Sequence, residues 1–175
     1  MQRIAVDMDE VIADALGELL TRYNREQKAS LTKNDLRGKW LWQMLPPGGQ
    51  KRIEEYLQSE DFFEDLPIID GSQEILRRIG EKYEIYIATA AMAFPNSFAA
   101  KYRWLRRNFP FLSPQNFVFC GDKSILHADF LIDDMPRNLA GFRGEGILFT
   151  SPHNVGVTGY RRADSWQKIG EMFPS

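Results

Sequence analysis

Residues 4–14 read Ile4-Ala5-Val6-Asp7-Met8-Asp9-Glu10-Val11-Ile12-Ala13-Asp14. The first three have the pattern of a short buried strand. Two carboxylates follow two residues apart, Asp7 and Asp9. While the chain stays extended, this spacing puts both on one face and Met8 on the other. Like charges a few ångströms apart repel strongly where the dielectric is low. Three arrangements relieve that repulsion. One carboxyl stays protonated, a cation sits between the two, or both face water in an ordinary strand-to-helix turn. The stretch by itself leaves all three open.

Outward from this stretch the chain changes character twice. Leu16, Leu19, Leu20 and Tyr23 recur at helical spacing, predicting a helix over 15–26. A polar turn at Thr32-Lys33-Asn34-Asp35 follows, then Trp40-Leu41-Trp42 and the breaker Pro46-Pro47-Gly48-Gly49. A second helix is expected over 51–59, and no strand is evident anywhere in 15–65. Beyond it, strands expected at 83–88, 117–120, 130–132 and 146–150 alternate with helices at 70–79, 95–108, 136–139 and 166–173. That alternation predicts an α/β fold with a parallel sheet covered by helices on both faces. The simplest division is a core of residues 1–14 plus 66–175, with 15–65 inserted after the first strand as a small helical cap. Such a cap would sit over the carboxyl end of the sheet, where open α/β sheets bind ligands.

Composition narrows the class. The 175 residues carry 22 basic and 24 acidic side chains, a net charge of −2, which argues against binding a nucleic acid polymer through bulk charge. The single cysteine, Cys120, excludes an internal disulfide framework and any multi-cysteine metal site. It follows Phe117-Val118-Phe119, as a buried thiol at a strand end would. No apolar run reaches the roughly 20 residues of a membrane span, and the chain enters a strand without an export-type segment. The expectation is a soluble cytoplasmic protein. A homodimer is compatible with this composition, which fixes no oligomeric state.

The expected strands share a feature at their ends. The first ends in Asp7 and Asp9, the second at Thr89, and another at Asp133-Asp134. Lys123 lies in the loop before that last pair. If the strands are parallel, these groups converge on one rim. Carboxylate oxygens make a hard site for Mg²⁺. A free carboxylate can attack phosphorus, and a second, protonated one can supply the leaving group's proton. A hydroxyl and a lysine can hold phosphoryl oxygens. Taken singly, each residue has an ordinary reading. Thr89 can cap the next segment, Lys123 can be a surface lysine, and Asp133-Asp134 can serve the start of a helix.

Together, Asp7-Met8-Asp9-Glu10-Val11, Thr89, Lys123 and Asp133-Asp134 resemble the four motifs of the haloacid dehalogenase superfamily of phosphatases. More narrowly, Asp7 through Asp14, Ser59 with Phe62-Phe63, and Asp122-Lys123-Ser124 with Ala128 through Asp134 are similar to the 5′(3′)-deoxyribonucleotidases. Leu148-Phe149-Thr150 with His153-Asn154 extends the likeness to nearly the whole chain. The resemblance implies a Rossmann-like parallel sheet with a small helical cap, a Mg²⁺ cofactor and a small phosphomonoester substrate, a nucleoside monophosphate. It implies Asp7 as nucleophile and metal ligand, and Asp9 as general acid/base with its backbone carbonyl on the metal. It implies Thr89 and Lys123 on the phosphoryl group, with Asp133 and Asp134 completing the metal site, Asp134 the favoured direct ligand. Lys101 falls where the family has a lysine near the phosphate; an exposed helix lysine is the alternative. Trp40 falls where an aromatic lies near the base; packing of the cap onto the core is the alternative for Trp40 and Trp42.

Departures from the family concern the leaving group. Ala15 and Lys39 stand where aromatics are expected, and Leu57 where a tryptophan is, beside Tyr56. Ala90-Ala91 follow Thr89 in place of serine and proline, and Met135 stands where the family has an arginine before Pro136, with Arg137 two places late. The hydrolytic set is intact while the pocket for the leaving group is altered. His127 and His153 read as structural or exposed, and Arg161-Arg162 as a solvated pair. The rival readings are a phosphatase for another small ester and a phosphate-binding protein without turnover. A dehalogenase is disfavoured, since Asp9 would then have no evident role.

Overall fold

The computed structural model describes residues 1–59 and 61–173. Glu60, inside the span expected as the cap, and Pro174-Ser175, the end of the expected core span, lie outside the described residues. The first apolar run forms β1, Arg3–Val6, and β1 lies inside a six-stranded sheet. The others are β2 (Glu84–Thr89), β3 (Phe117–Phe119), β4 (Phe130–Asp133), β5 (Glu145–Phe149) and β6 (Arg161–Ala163), in the order β3-β2-β1-β4-β5-β6. Every pairing is parallel. Val6 lies opposite Ile87 on one side and Ile132 on the other, so Asp7, Thr89 and Asp133 follow at one edge. Chain order reverses at β1, which makes that edge the expected ligand-binding crevice.

The two sheet faces are unequal. Ile4 and Val6 join a large apolar cluster with Leu76, Trp104, Trp166 and Ile169. Ala5, pointing the other way, joins a smaller one with Leu131, Leu139 and Leu148. The helices follow this split. Residues of α3 (Ser72–Ile79), α4 (Ser97–Asn108) and α6 (Trp166–Met172) belong to the large cluster, and Leu139 of α5 (Pro136–Ala140) to the small one.

Residues 15–65 contribute α1 (Ala15–Gln27), α2 (Gly49–Gln58) and 3₁₀ turns at Lys33–Leu36 and Leu41–Met44, with no strand among the described residues. This segment has no core of its own. Leu20, Tyr23, Leu36, Leu41, Ile53, Tyr56, Phe62 and Phe63 belong to the same cluster as Ile4 and Val6. Its exit and return are tied together. Asp14 N–H donates to the Pro67 carbonyl at 2.8 Å and Ile69 N–H to that of Ile12 at 2.9 Å. Two buried indoles fasten the same connections, Trp166 Nε1 to the Val11 carbonyl at 2.7 Å and Trp104 Nε1 to that of Leu66 at 2.8 Å. Asp14 caps α1 by accepting from Gly17 N–H at 2.8 Å. A Cβ on Gly17 would lie 2.5 Å from that carboxylate, so a larger residue there would require the capping side chain to shift.

Three expectations shift. Helix α4 starts at Ser97 rather than Pro95, and α3 at Ser72, after Gly71 in the left-handed region. Strand β6 was not expected, because Arg161-Arg162-Ala163 lacks an apolar run; it is an edge strand, where polar residues are tolerated. No helix among the described residues is long and apolar enough to cross a membrane.

Candidate active site

Asp7 leaves the end of β1 with its backbone N–H on the Ile132 carbonyl at 2.9 Å, which carries the strand register one residue into the site. Lys123, 1% exposed, places Nζ 2.5 Å from Asp7 Oδ1 and 2.6 Å from Asp133 Oδ2. Asp133 is otherwise saturated, accepting from Met135 N–H at 2.8 Å and from Asn138 Nδ2 at 3.0 and 3.1 Å. Asp134 is different. The nearest basic atom to its carboxylate is His153 Nε2, 3.6 Å from Oδ2, beyond hydrogen-bond reach. Oxygens of Asp7, Asp133 and Asp134 all lie within 4.8 Å of one another.

Three buried carboxylates around one ammonium leave excess negative charge in a low-dielectric site. The consequence appears in their proton affinities. Burial pushes Asp7 up to about 7, with Lys123 opposing and Asp133 and Asp9 adding to the rise. Burial, then the charges of Asp7 and Asp133, hold Asp134 well above the carboxylate range. Burial alone would lower Lys123, but Asp7 and Asp133 more than offset it and the net shift is upward. Hard oxygen donors, closely set and under-neutralised, suit a divalent cation.

A second cluster adjoins the first. Lys101, on α4 and 2% exposed, donates to Asp9 Oδ2 at 2.5 Å and to Thr89 Oγ1 at 2.9 Å. Its ammonium also lies 4.6 Å from the Phe63 ring centre. The alternative of an exposed helix lysine is therefore overturned: one turn of α4 turns this side chain inward to meet two strand ends. Asp9 Oδ1 is buried and has no hydrogen-bond partner among the described residues. Glu10, next along, holds φ +62°, a left-handed conformation unusual for a side chain of this size. Its Oε1 accepts from Leu16 N–H at 2.6 Å, linking the acidic loop to the first turn of α1.

Above these groups lies a cavity of about 390 Å³ lined by Leu16, Leu19, Ile53 and Leu57, with Glu10 and Asp134 among its polar members. A larger surface depression, about 690 Å³ at residues 124–129 with Arg143 and Gly144, touches none of Asp7, Asp9, Asp133 and Asp134. Trp40 borders the first cavity. Its ring stacks on Trp42 at 4.7 Å and 11° and on His153 at 4.1 Å and 12°. Two near-parallel rings at these distances cannot share one face of an indole without interpenetrating, so Trp42 and His153 cover opposite faces. Trp40 thus packs the segment after β1 against the loop after β5, while Trp42 stays half exposed.

All eight side chains singled out in the sequence occur at this end of the sheet, Trp40 at the cavity wall and the other seven at the rim. Glu10, Asn154 and Arg162 were missed. The positive φ at Glu10 has no signal in its own residue type. Arg162 is not a solvated pair member: its guanidinium donates to Thr150 Oγ1, Asn154 Oδ1 and two backbone carbonyls. Only Arg161 is exposed, paired with Glu145 at 2.9 Å. His127 is exposed, and His153 is structural in its stacking, with burial lowering its proton affinity. Cys120 is buried, and burial raises its thiol.

Comparison with known proteins follows the same lines. The family model described as "5' nucleotidase, deoxy (Pyrimidine), cytosolic type C protein" matches residues 1–174. A "Putative 5'(3')-deoxyribonucleotidase" of Staphylococcus epidermidis is 44% identical over 174 residues, covering 99% of this chain and 97% of the relative. The 5'(3')-deoxyribonucleotidase of Bacillus subtilis is 36% identical over 167 residues, 95% of each chain. Among solved structures, a Bacillus subtilis "putative HAD-hydrolase" bound to magnesium superposes with a TM-score of 0.61 at 14% identity, over 98% of both chains. A HAD family hydrolase of Deinococcus radiodurans with bound phosphate and sodium reaches 0.64 at 15% identity, over 97% of this chain and 93% of that one. These two likenesses concern the fold, which is that of the haloacid dehalogenase superfamily. The chain belongs to the cytosolic type C 5′-nucleotidase family, built on that fold, and is a hydrolase of phosphoric monoesters.

Proposed function

We propose that this protein is a Mg²⁺-dependent 5′(3′)-deoxyribonucleotidase working in the cytoplasm through a phosphoryl group carried on Asp7. The observation that carries the reading is the buried set Asp7, Asp133 and Asp134 around Lys123. The names of the relatives support the substrate class. Residues 15–65 act as the cap that covers the leaving group, on a core of 1–14 and 66–175.

Asp7 and Asp134, with the Asp9 backbone carbonyl, would hold the cation. Asp133 is the less suited ligand, because Lys123, Met135 N–H and Asn138 already occupy its oxygens. When bound, the cation neutralises the carboxylates and the phosphoryl oxygens. Asp7 Oδ attacks phosphorus as the ester P–O bond breaks. Asp9 serves as the general acid and gives a proton to the leaving oxygen; Lys101 fixes its Oδ2, which leaves Oδ1, without a partner among the described residues, to face that oxygen. Water then attacks phosphorus, its proton returns to Asp9, and phosphate leaves with the Asp7 carboxylate restored. Lys123 and Thr89 hold the equatorial oxygens.

A second reading, another small phosphomonoester, is favoured by the cavity. Its wall mixes leucine and isoleucine side chains with Trp40, Trp42, Phe94 and His153, but both faces of Trp40 are covered, so a base meets the stack only at the outer face of Trp42 or by displacing His153. Phosphate release from deoxy- and ribonucleoside 5′- and 3′-monophosphates and from sugar phosphates, with Mg²⁺ and with EDTA, separates the two. Mg²⁺-dependent release strongest on deoxynucleotides is expected. Preference for sugar phosphates selects the second reading, and undiminished release in EDTA removes the metal from both.

A further inference from the structure

The unexpected strand β6 reaches the acidic cluster through an unbroken chain of hydrogen bonds. Arg162 Nη1 donates to Asn154 Oδ1 at 3.0 Å and to Thr150 Oγ1 at 3.1 Å. Its Nη2 donates to the carbonyls of Asn154 at 3.0 Å and Val157 at 2.7 Å. Asn154 is fully buried, and its amide is saturated. Nδ2 donates to the Asp134 carbonyl at 2.7 Å and to that of Phe149 at 2.8 Å, while Oδ1 also accepts from Ser151 N–H at 3.2 Å. His153 Nε2 lies 3.1 Å from the same Asp134 carbonyl. The Asp134 backbone is therefore held from the segment between β5 and β6, which Arg162 of β6 braces, whereas among the described residues its carboxylate has no close donor.

We infer that Arg162 is a positioning residue for the metal-holding carboxylate of Asp134, acting through Asn154. The inference rests on the reading of Asp134 as a ligand given above. Its physical basis is the planar guanidinium, which braces the Thr150–Val157 loop at four oxygens and presents the Asn154 amide in one orientation. With the Asp134 carbonyl engaged by two donors, that peptide cannot rotate, and the carboxylate is held where Asp7 can share a cation. Partners that orient a ligand in this way are worth roughly ten- to a hundredfold in metal affinity.

The test titrates Mg²⁺ calorimetrically into the unaltered protein, Arg162→Gln, Arg162→Lys and Arg161→Gln. Arg161 serves as control because it is exposed and, among the described residues, pairs with Glu145 alone at the sheet edge. Arg162→Gln is expected to raise the Mg²⁺ dissociation constant about tenfold. At saturating Mg²⁺ its substrate KM stays within about twofold and kcat largely recovers. Arg162→Lys, which keeps a donor for Asn154, gives an intermediate constant and covers the case in which the glutamine variant does not fold. Arg161→Gln binds Mg²⁺ as the unaltered protein does. Unchanged Mg²⁺ constants in both Arg162 variants, with only a lowered melting temperature, would overturn the inference. Failure of the unaltered protein to take up Mg²⁺ is a separate result, and it overturns the metal reading together with this inference.

Discussion

The rim of the sheet and the segment that covers it are built on different physics. At the rim, Asp7, Thr89, Asp133 and Asp134 each end a strand or follow it directly, in places set by the register of β1, β2 and β4, while Asp9 and Lys123 lie on the segments after β1 and β3 and Lys101 reaches in from α4. The interactions there are between charges, few in number and short. Over the rim, Trp40, Trp42 and His153 form one stack from two distant parts of the chain, and this stack shares the cavity wall with leucine and isoleucine side chains. Local sequence sets the first kind of arrangement, and tertiary packing sets the second. Chemistry should therefore be concentrated at the rim and substrate choice in the cover.

The largest effect that would break this contrast is at Asp7. Asp7→Asn removes the carboxylate proposed to attack phosphorus and keeps the side chain's size, so turnover should fall by at least about 10⁴-fold. Its melting temperature without metal should hold or rise, since a buried carboxylate without full compensation is removed. Phosphate release and thermal melts check both halves. Retained turnover would take the nucleophile away from the rim.

A smaller effect sharpens the other side. Trp40→Ala opens the stack on both faces and unfastens the cover from the loop after β5. It should destabilise by about 2–3 kcal/mol and change the ranking of substrates. Trp42→Ala, at the half-exposed end, should cost less than about 1 kcal/mol in stability and alter KM more than kcat. Equal effects of the two on kcat alone would mean that the cover takes part in the chemistry.

This division also explains what could be read from the chain. The parallel sheet was legible because Ile4 to Val6, Ile85 to Ala88 and Phe130 to Ile132 are continuous apolar runs between helical periods. Asp7, Thr89 and Asp133 were legible because they end those runs. Strand β6 was not, since an edge strand needs no apolar pattern, and Arg162 consequently looked like surface charge. Lys101 was ambiguous because its burial depends on the rotation of α4 against β2 and on Phe63 closing over it, neither of which is local. Which tryptophan packs and which is exposed depends on His153, which is 113 residues away from Trp40 in the chain.

The smallest effect is in pH, and its sign separates the two regions. Burial raises Asp7 from 3.8 to about 7 and Glu10 from 4.5 to about 8, and Asp134 shifts the same way. In the window between the ordinary and raised values the folded protein holds more protons than the unfolded chain. The stabilisation from these groups is complete below the ordinary carboxylate value and is lost as pH climbs through about 7 to 8, with a slope of at most about 1.4 kcal/mol per pH unit for each proton. Thermal melts in EDTA should therefore show falling stability from about pH 5 to about pH 8. Divalent cation binding requires the ionised carboxylates, so the stabilisation given by Mg²⁺ should grow over the same range. The deficit caused by Trp40→Ala should vary less over that range, because the stack holds no acid and burial lowers the proton affinity of His153. A metal-free protein that gained stability with pH would mean that these carboxylates are better compensated than the cluster around Lys123 allows. A Trp40→Ala deficit that tracked the Mg²⁺ effect would mean that the cover and the rim titrate as one unit.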